Sequence, residues 1–515
     1  MAALVEKSLV VVDEGGAEVR YWMLETVRAY GEERRCEAGE DHPLRRAHAG
    51  YFLRLAEEAE PHLRQADQLV WLDRLSAEQE NLRAALRWAI DERDALLALR
   101  LVGGLDWYWF LRSARAEGSE LSAQALALPG SPPGGLLARV LVMSALVSIT
   151  GGSGIERSLG SMERAAALVA ELPGDDPNLA HPALALLPVL AAILRGDDAA
   201  GLSWARSQRN HPDPWVRALV PLIVAQLLIN LGEAGEAQRQ LDLALERFSQ
   251  LGERWGIGQT LSARVELSAM RGDEQDVAGA LKEAEQVLAG IGGREDIGQI
   301  KIRLALAHAR AGDLAAAQRE LAAAERIAEA IGSDEQRVYL LLTRSNIARW
   351  EGNLEEARAL ADAGFGALHG GLPPFEQFYS LLLTARGHVA AEMGDLDGAH
   401  GWYQRSLEVA VKTRDRPVIA RAVELLAAMA RAEGDPERSA TLLGQAAALR
   451  GIGDEADPDV LRVRAAARAA LGDEGYALAY ERGTAWRRED LVEALMAEVT
   501  SSVGTPAGPA ERTPS

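Results

Sequence analysis

Apolar residues fall at helical spacing along most of the chain. Ala49, Phe52, Leu53 and Ala56 form one such stripe, and Leu82, Ala85, Leu86 and Ala89 another. From residue 196 a second, longer rhythm is superimposed. A glycine followed by Asp, Glu or Asn recurs at Gly196-Asp197, Gly232-Glu233, Gly272-Asp273, Gly312-Asp313, Gly352-Asn353, Gly394-Asp395 and Gly434-Asp435. The intervals are 36, 40, 40, 40, 42 and 40 residues. A period of that size predicts a solenoid, in which each unit buries its apolar face on the next.

The positions inside each unit agree with a pair of packed helices. Five residues after the glycine stand Ala237, Val277, Ala317, Ala357, Ala399 and Ser439. Nine after it stand Leu241, Leu281, Leu321, Ala361, Tyr403 and Leu443. Twelve after it stand Ala244, Ala284, Ala324, Gly364, Ser406 and Ala446. Small residues let two helices approach, and the middle residue fills the groove between them. The glycine is expected to end the first helix in a left-handed conformation, and the polar residue after it to start the second.

The ends of the chain differ. Leu9 to Val12 and Val19 to Leu24 read as two short strands joined by the turn residues Glu14-Gly15-Gly16, followed by a helix from about Glu25 to Cys36. PGSPPGG, from Pro129 to Gly135, and the segment Pro173 to Pro182 are breaks. The expected organisation is a hairpin-containing segment at 1–40, helical hairpins at 41–128, repeats at 136–455, a helical cap at 456–499 over the last repeat, and a disordered tail at 500–515. The fold class is all-α.

Composition narrows the function. Hydrophobic residues make up 48% of 515, enough to bury a core, and the net charge of −21 argues against a surface for nucleic acid or anionic membrane. The apolar run Ala218 to Leu231 falls short of the ~20 residues of a membrane span and reads as a buried helix. Cys36 is the single cysteine, so no intrachain disulfide forms, as fits the cytoplasm. His42 and His48 lack partners at metal-ligand spacing. Gly151-Gly152-Ser153-Gly154 reads as an inter-helix turn rather than a phosphate cradle, because no strand precedes it and no lysine follows. Neither HExxH nor a GxSxG elbow occurs. The expectation is a protein without catalysis, metal or cofactor.

The repeat resembles the tetratricopeptide repeat, with GDLDGAHGWYQRSLEVA, Gly394 to Ala410, as its clearest statement. The longer period is similar to that of MalT-like bacterial regulators. A second resemblance covers the flanks. Leu4-Val5-Glu6-Lys7-Ser8-Leu9-Val10 and Arg20-Tyr21-Trp22-Met23-Leu24-Glu25-Thr26-Val27-Arg28-Ala29-Tyr30 resemble the end of a winged-helix module in actinobacterial STAND regulators of the AfsR and LuxR-like type. Trp71-Leu72-Asp73-Arg74-Leu75 with Asn81 to Trp88, and Ala440-Thr441-Leu442-Leu443-Gly444 with Glu481-Arg482-Gly483, resemble later parts of the same proteins. The resemblance implies a winged-helix remnant at the N-terminus, and a sensor and scaffold region serving an NB-ARC switch. ATP or ADP would belong to that switch, because no Gly-Lys pair, and so no P-loop, occurs in this sequence. A free-standing tetratricopeptide adaptor is the alternative.

In the family's pattern, residues three, six and ten before each glycine face the concave groove. They include Gln226, Ser262, Glu266, Asn346, Arg349, Thr384 and His388, with Trp350 beside them. Arg349 is expected to pair with a carboxylate and Trp350 to supply an aromatic anchor. The partner is expected to be a protein, a peptide or a small-molecule inducer, with self-association as a further possibility.

Overall fold

The computed structural model describes residues 2–13, 20–150, 155–271, 274–368 and 376–502. Within them the chain is a tetratricopeptide-like α-solenoid with one small antiparallel hairpin, Val11–Asp13 against Arg20–Trp22. The hairpin is followed by the helix Glu25–Glu37. The expected turns at Glu14-Gly15-Gly16 and at Gly151 to Gly154, the pair Gly272-Asp273, and the tail beyond residue 502 lie outside the described residues.

The repeat grid is realised in detail. Gly196, Gly232, Gly312, Gly352, Gly394 and Gly434 all have positive φ, from 64° to 86°. Asp197, Asp313, Asp395 and Asp435 then accept hydrogen bonds of 2.9 Å from the backbone N–H three residues on. Each satisfies an N–H that the helix itself leaves unpaired. Glu233 makes no such cap, and its carboxylate pairs with Arg488 instead. Ala237, Ala317, Ala357, Ala399 and Ser439 are fully buried, as are Leu241, Leu281 and Leu321. Burying one such leucine contributes about 2 kcal/mol. The second helices also end on left-handed residues, at Gly252, Gly292, Gly332, Arg414 and Gly451.

The first helix of each repeat lies on the inside of the curve. These inner helices are Pro214–Asn230, Arg254–Arg271, Arg294–Arg310, Asp334–Trp350, Glu376–Glu392 and Arg416–Ala432. The helix holding Ala218 to Leu231 is buried, and among the described residues no helix is long and apolar enough to cross a membrane. The N-terminal helices Asp41–His62 to Arg115–Leu126 pack beside the first three inner helices. Trp107 and Phe110 stack at 4.7 Å and meet Trp215 and Trp255 edge-on. Gln68 donates to the buried Glu253 at 2.7 Å, and Arg112 donates to the Ile291 carbonyl at 3.2 Å.

The superhelix closes on itself. Arg416, on the last inner helix, donates to the Leu231 carbonyl at the end of the first, at 2.6 Å. Arg414 reaches the Gly196 carbonyl at 3.4 Å, and Arg488 pairs with Glu233. At the tightest point of this seam Gly232 and Gly451 lie backbone to backbone. A Cβ on either would overlap the other turn, so only glycine fits there.

After Gly451 the chain turns inward. Residues 451–459, a linker and the first residues of the helix Pro458–Thr484, form a strap along the lumen, and the rest of that helix packs on Pro436–Arg450. The C-terminal segment was expected only to cover the last repeat. Its first residues enter the lumen, because three aspartates in the strap meet arginines there.

Candidate functional site

The lumen is where residues from distant repeats converge. One chamber of about 310 Å³ is bounded by five inner helices and by Ala456, Asp457 and Asp459 of the strap. A second, of about 350 Å³, adjoins it and shares Glu266, Arg303, Tyr339, Leu381, Pro417 and Val418. The first chamber mixes aliphatic side chains such as Leu306, Leu342, Leu381 and Val418 with charged ones, whereas the second is lined mostly by polar residues, among them Gln226, Gln299, Gln336 and Gln377.

An ionic lattice anchors the strap. Arg349, 1% exposed, donates to Asp459 at 2.7 and 2.5 Å and to Glu392 at 2.6 Å. Burial opposes its charge, but the two carboxylates hold the guanidinium firmly protonated. Burial likewise opposes charge on Asp459, and Arg349 more than compensates, keeping that carboxyl well below the usual range. Arg421 binds Asp457 at 2.7 Å, Glu424 at 3.1 Å and Asp454 at 3.2 Å. Arg310 reaches Asp457 at 3.3 Å. Asp454 and Asp457 also accept backbone N–H groups of the strap, which fixes its bend.

Most of the groove residues expected from the sequence line the lumen, in three different conditions. Arg349 is spent on an internal pair: its carboxylate partner is the chain's own Asp459, not a ligand. Thr384 is spent too, since its hydroxyl bonds the Ser380 carbonyl at 3.0 Å and the Ser406 hydroxyl at 2.7 Å. Trp350 lines the first chamber and donates its indole N–H to Asp459 at 3.3 Å. Ser262 is buried, and its carbonyl accepts from Arg303 at 3.0 Å. Gln226 and Glu266 line the second chamber, Gln226 donating to Asn230 at 3.2 Å.

Asn346 and His388 are different. Both line the first chamber, and neither side chain makes a hydrogen bond or ion pair among the described residues. His388 is 7% exposed, and burial pushes its imidazole down to about 4, against the weaker pull of Asp459. It is therefore neutral at physiological pH, with one N–H to donate and one lone pair to offer.

The second chamber carries Glu335 and Asp415 beside Glu266. Burial raises Glu335 to about 7 and Asp415 to about 6, although Asp415 caps its helix by accepting from the Val418 N–H at 3.1 Å. Sequence reasoning missed the strap aspartates and their partners Arg310 and Arg421. Arg310 stands two residues before Gly312 and Arg421 thirteen before Gly434, so the three-, six- and ten-residue register does not contain them. Nothing local marks Asp454, Asp457 and Asp459 as occupants of the lumen.

No protein-family model matches the chain. It is 24% identical over 572 aligned positions to the "Putative HTH-type transcriptional regulator" of Mycobacterium tuberculosis, strain H37Rv, covering 96% of this chain and 60% of that protein. Proteins of the same description in strain CDC 1551 and in Mycobacterium bovis match to the same extent. The chain thus spans about 60% of the length of the curated relatives it matches. Among solved structures it is similar to a Rap protein complexed with Competence and Sporulation Factor, at a TM-score of 0.49 and 11% identity, over 70% of this chain and 99% of that one. It is also similar to the Cut9–Hcn1 hetero-tetramer of APC/C, at 0.40 and 11%, over 84% and 88% of the two chains. Yeast Tom70 matches at 0.34 and 13%, over 83% and 98%.

Proposed function

We propose that this chain is the non-catalytic sensor and scaffold region of a bacterial transcriptional regulator of the STAND type, akin to AfsR-, LuxR- and MalT-like proteins. In this reading the lumen takes up an inducer, and the solenoid relays its presence to an NB-ARC switch, which holds ATP or ADP outside this chain. The observation that carries it is the lumen itself: six inner helices surround a cavity in which Asn346 and His388 have no partner. His388 is buried at that wall and Asn346 half-buried beside it, and a ligand that bonds to both explains their retention there. The distant likeness to HTH-type regulators over 96% of the chain supports the regulatory setting. A cytoplasmic location follows from that setting.

The test is genetic. Deleting the gene in its own bacterium and sequencing RNA should shift a defined set of transcripts. The native gene should restore them, and a gene carrying both Asn346→Leu and His388→Met should not, at equal protein level. An unchanged transcript profile on deletion, across growth phases, would sink the reading.

A free-standing adaptor is the second reading, and one observation favours it. Tyr21, Trp22, Met23, Leu24 and Tyr30 are 46–61% exposed in the N-terminal segment, an apolar surface of the kind that proteins cover. Unchanged transcripts together with a partner cross-linked at Trp22 would favour this reading.

A further inference from the structure

Most of the charges around the first chamber are matched within the protein. Arg349 is satisfied by Asp459 and Glu392, and Arg421 by Asp457, Glu424 and Asp454. Arg310 shares Asp457. Arg303 and Glu266, one of each sign, stand where the chambers meet. An ionic ligand would have to break this lattice, and a charge left unpaired in a buried site is heavily penalised.

Away from Glu266 and Arg303, what the chamber leaves unmet is neutral. His388 is more than nine-tenths buried, lines the cavity and bonds to nothing. Asn346, on the neighbouring inner helix Asp334–Trp350, presents a free amide to the same space. Around them the surface is apolar: Leu342, Leu381, Ala385 and Val418, with the ring of Trp350. Small-molecule sites have this composition, an apolar wall with a few polar groups that set orientation. Size points the same way. A chamber of about 310 Å³ lies at the lower end of the range for such sites and is far too small for a folded partner.

We propose that the lumen binds an uncharged, mainly apolar small molecule bearing a carbonyl, amide or hydroxyl group, read by His388 and Asn346. The imidazole N–H donates to the ligand's oxygen, the Asn346 amide supplies a second donor or acceptor, and the apolar body lies along Leu342, Leu381 and Val418. This rests on the reading of the lumen as a ligand site, and it narrows the inducer to one chemical class.

Three probes of nearly equal shape test it on the full chain: 4-butylbenzamide, 4-butylbenzoate and 4-butylbenzylammonium, titrated by calorimetry at pH 7.5. The amide should bind at least tenfold more tightly than either ion. His388→Met and Asn346→Leu should each weaken amide binding at least tenfold. His388→Met should at the same time leave the Tm of the unliganded chain unchanged or higher, because methionine keeps the apolar contacts and breaks no hydrogen bond. A side chain kept for folding would move the Tm the other way. Tighter binding of the benzoate or the ammonium, weakened by His388→Met, overturns the ligand class and leaves the lumen as the site. Amide binding untouched by both variants overturns the lumen reading as well. Failure of the amide to bind up to its solubility limit overturns the proposal outright.

Discussion

Arg349 and Asp459, 110 positions apart, form a bidentate pair inside the ring. The pair joins an inner helix in the middle of the solenoid to the first turn of the C-terminal helix. Removing Asp459 leaves the buried Arg349 with Glu392 alone and half its donors unmet, whereas replacing both members of the pair does not. Asp459→Ala should therefore destabilise the chain by about 3 kcal/mol, and Arg349→Met combined with Asp459→Leu should recover most of that loss. Urea midpoints of the three proteins check this. Hydrogen exchange should locate the loosening of Asp459→Ala at residues 451–470.

The seam makes its own prediction. Gly451 has φ of 78° and abuts the Gly232 carbonyl, so Gly451→Ala combines an unfavourable conformation with a backbone overlap. The expected result is an opened ring, seen as a larger radius of gyration in small-angle scattering. An unchanged scattering profile for Gly451→Ala would show that the closure tolerates a side chain.

Asp106 predicts a pH dependence. It is 5% exposed, and its Oδ2 has no hydrogen-bond partner. Burial, with Glu60 adding to it and Arg139 opposing, raises its carboxyl to about 7 from an ordinary 3.8. The native state then keeps a proton that the unfolded chain has already released between those values. Stability from this group is complete below pH 3.8 and is lost as pH rises through 7. Asp106→Asn removes the titration. It should stabilise the protein by roughly 1–3 kcal/mol at pH 8 relative to native, with a smaller difference at pH 5 that vanishes only towards pH 3.8. Paired thermal melts at the two pH values decide it.

The repeat grid can be probed at one unit. Asp313 caps its helix through the Ala316 N–H at 2.9 Å, and Asp313→Ala should cost about 1 kcal/mol. Ala324, 1% exposed, sits where the paired helices approach, and Ala324→Leu should cost about 1–3 kcal/mol through overpacking. A cost for Ala324→Leu below that of Asp313→Ala would mean that the helices part more easily than their packing implies.

What could be read in the sequence was what is local. The left-handed glycines, the capping aspartates and the small–large–small positions each depend on contacts within one or two repeats, so period and residue type reveal them. The inward register of Asn346, Arg349, Thr384 and His388 follows from the same period. The closure does not, because it depends on curvature summed over six inner helices, and no short segment encodes that sum. Arg349 shows the boundary clearly. Its position and its taste for a carboxylate were legible, but its partner lies 110 residues away in a segment that reads as the ordinary start of a helix. His388 and Asn346 gave no signal that set them apart from Thr384, whose hydroxyl turned out to be satisfied by Ser380 and Ser406.

An open stack of helical hairpins melts like a zipper: each unit leans only on its neighbours, and the ends fray first. The contact of Gly232 with Gly451 removes that freedom from the repeats between them. Every unit on the circle now has a neighbour on both sides, so local opening must either break the seam or be felt all the way round. Such a ring should lose its structure in one step rather than from its tips. A molecule the size of a few side chains, seated at the centre, would then bear on the standing of some two hundred residues at once.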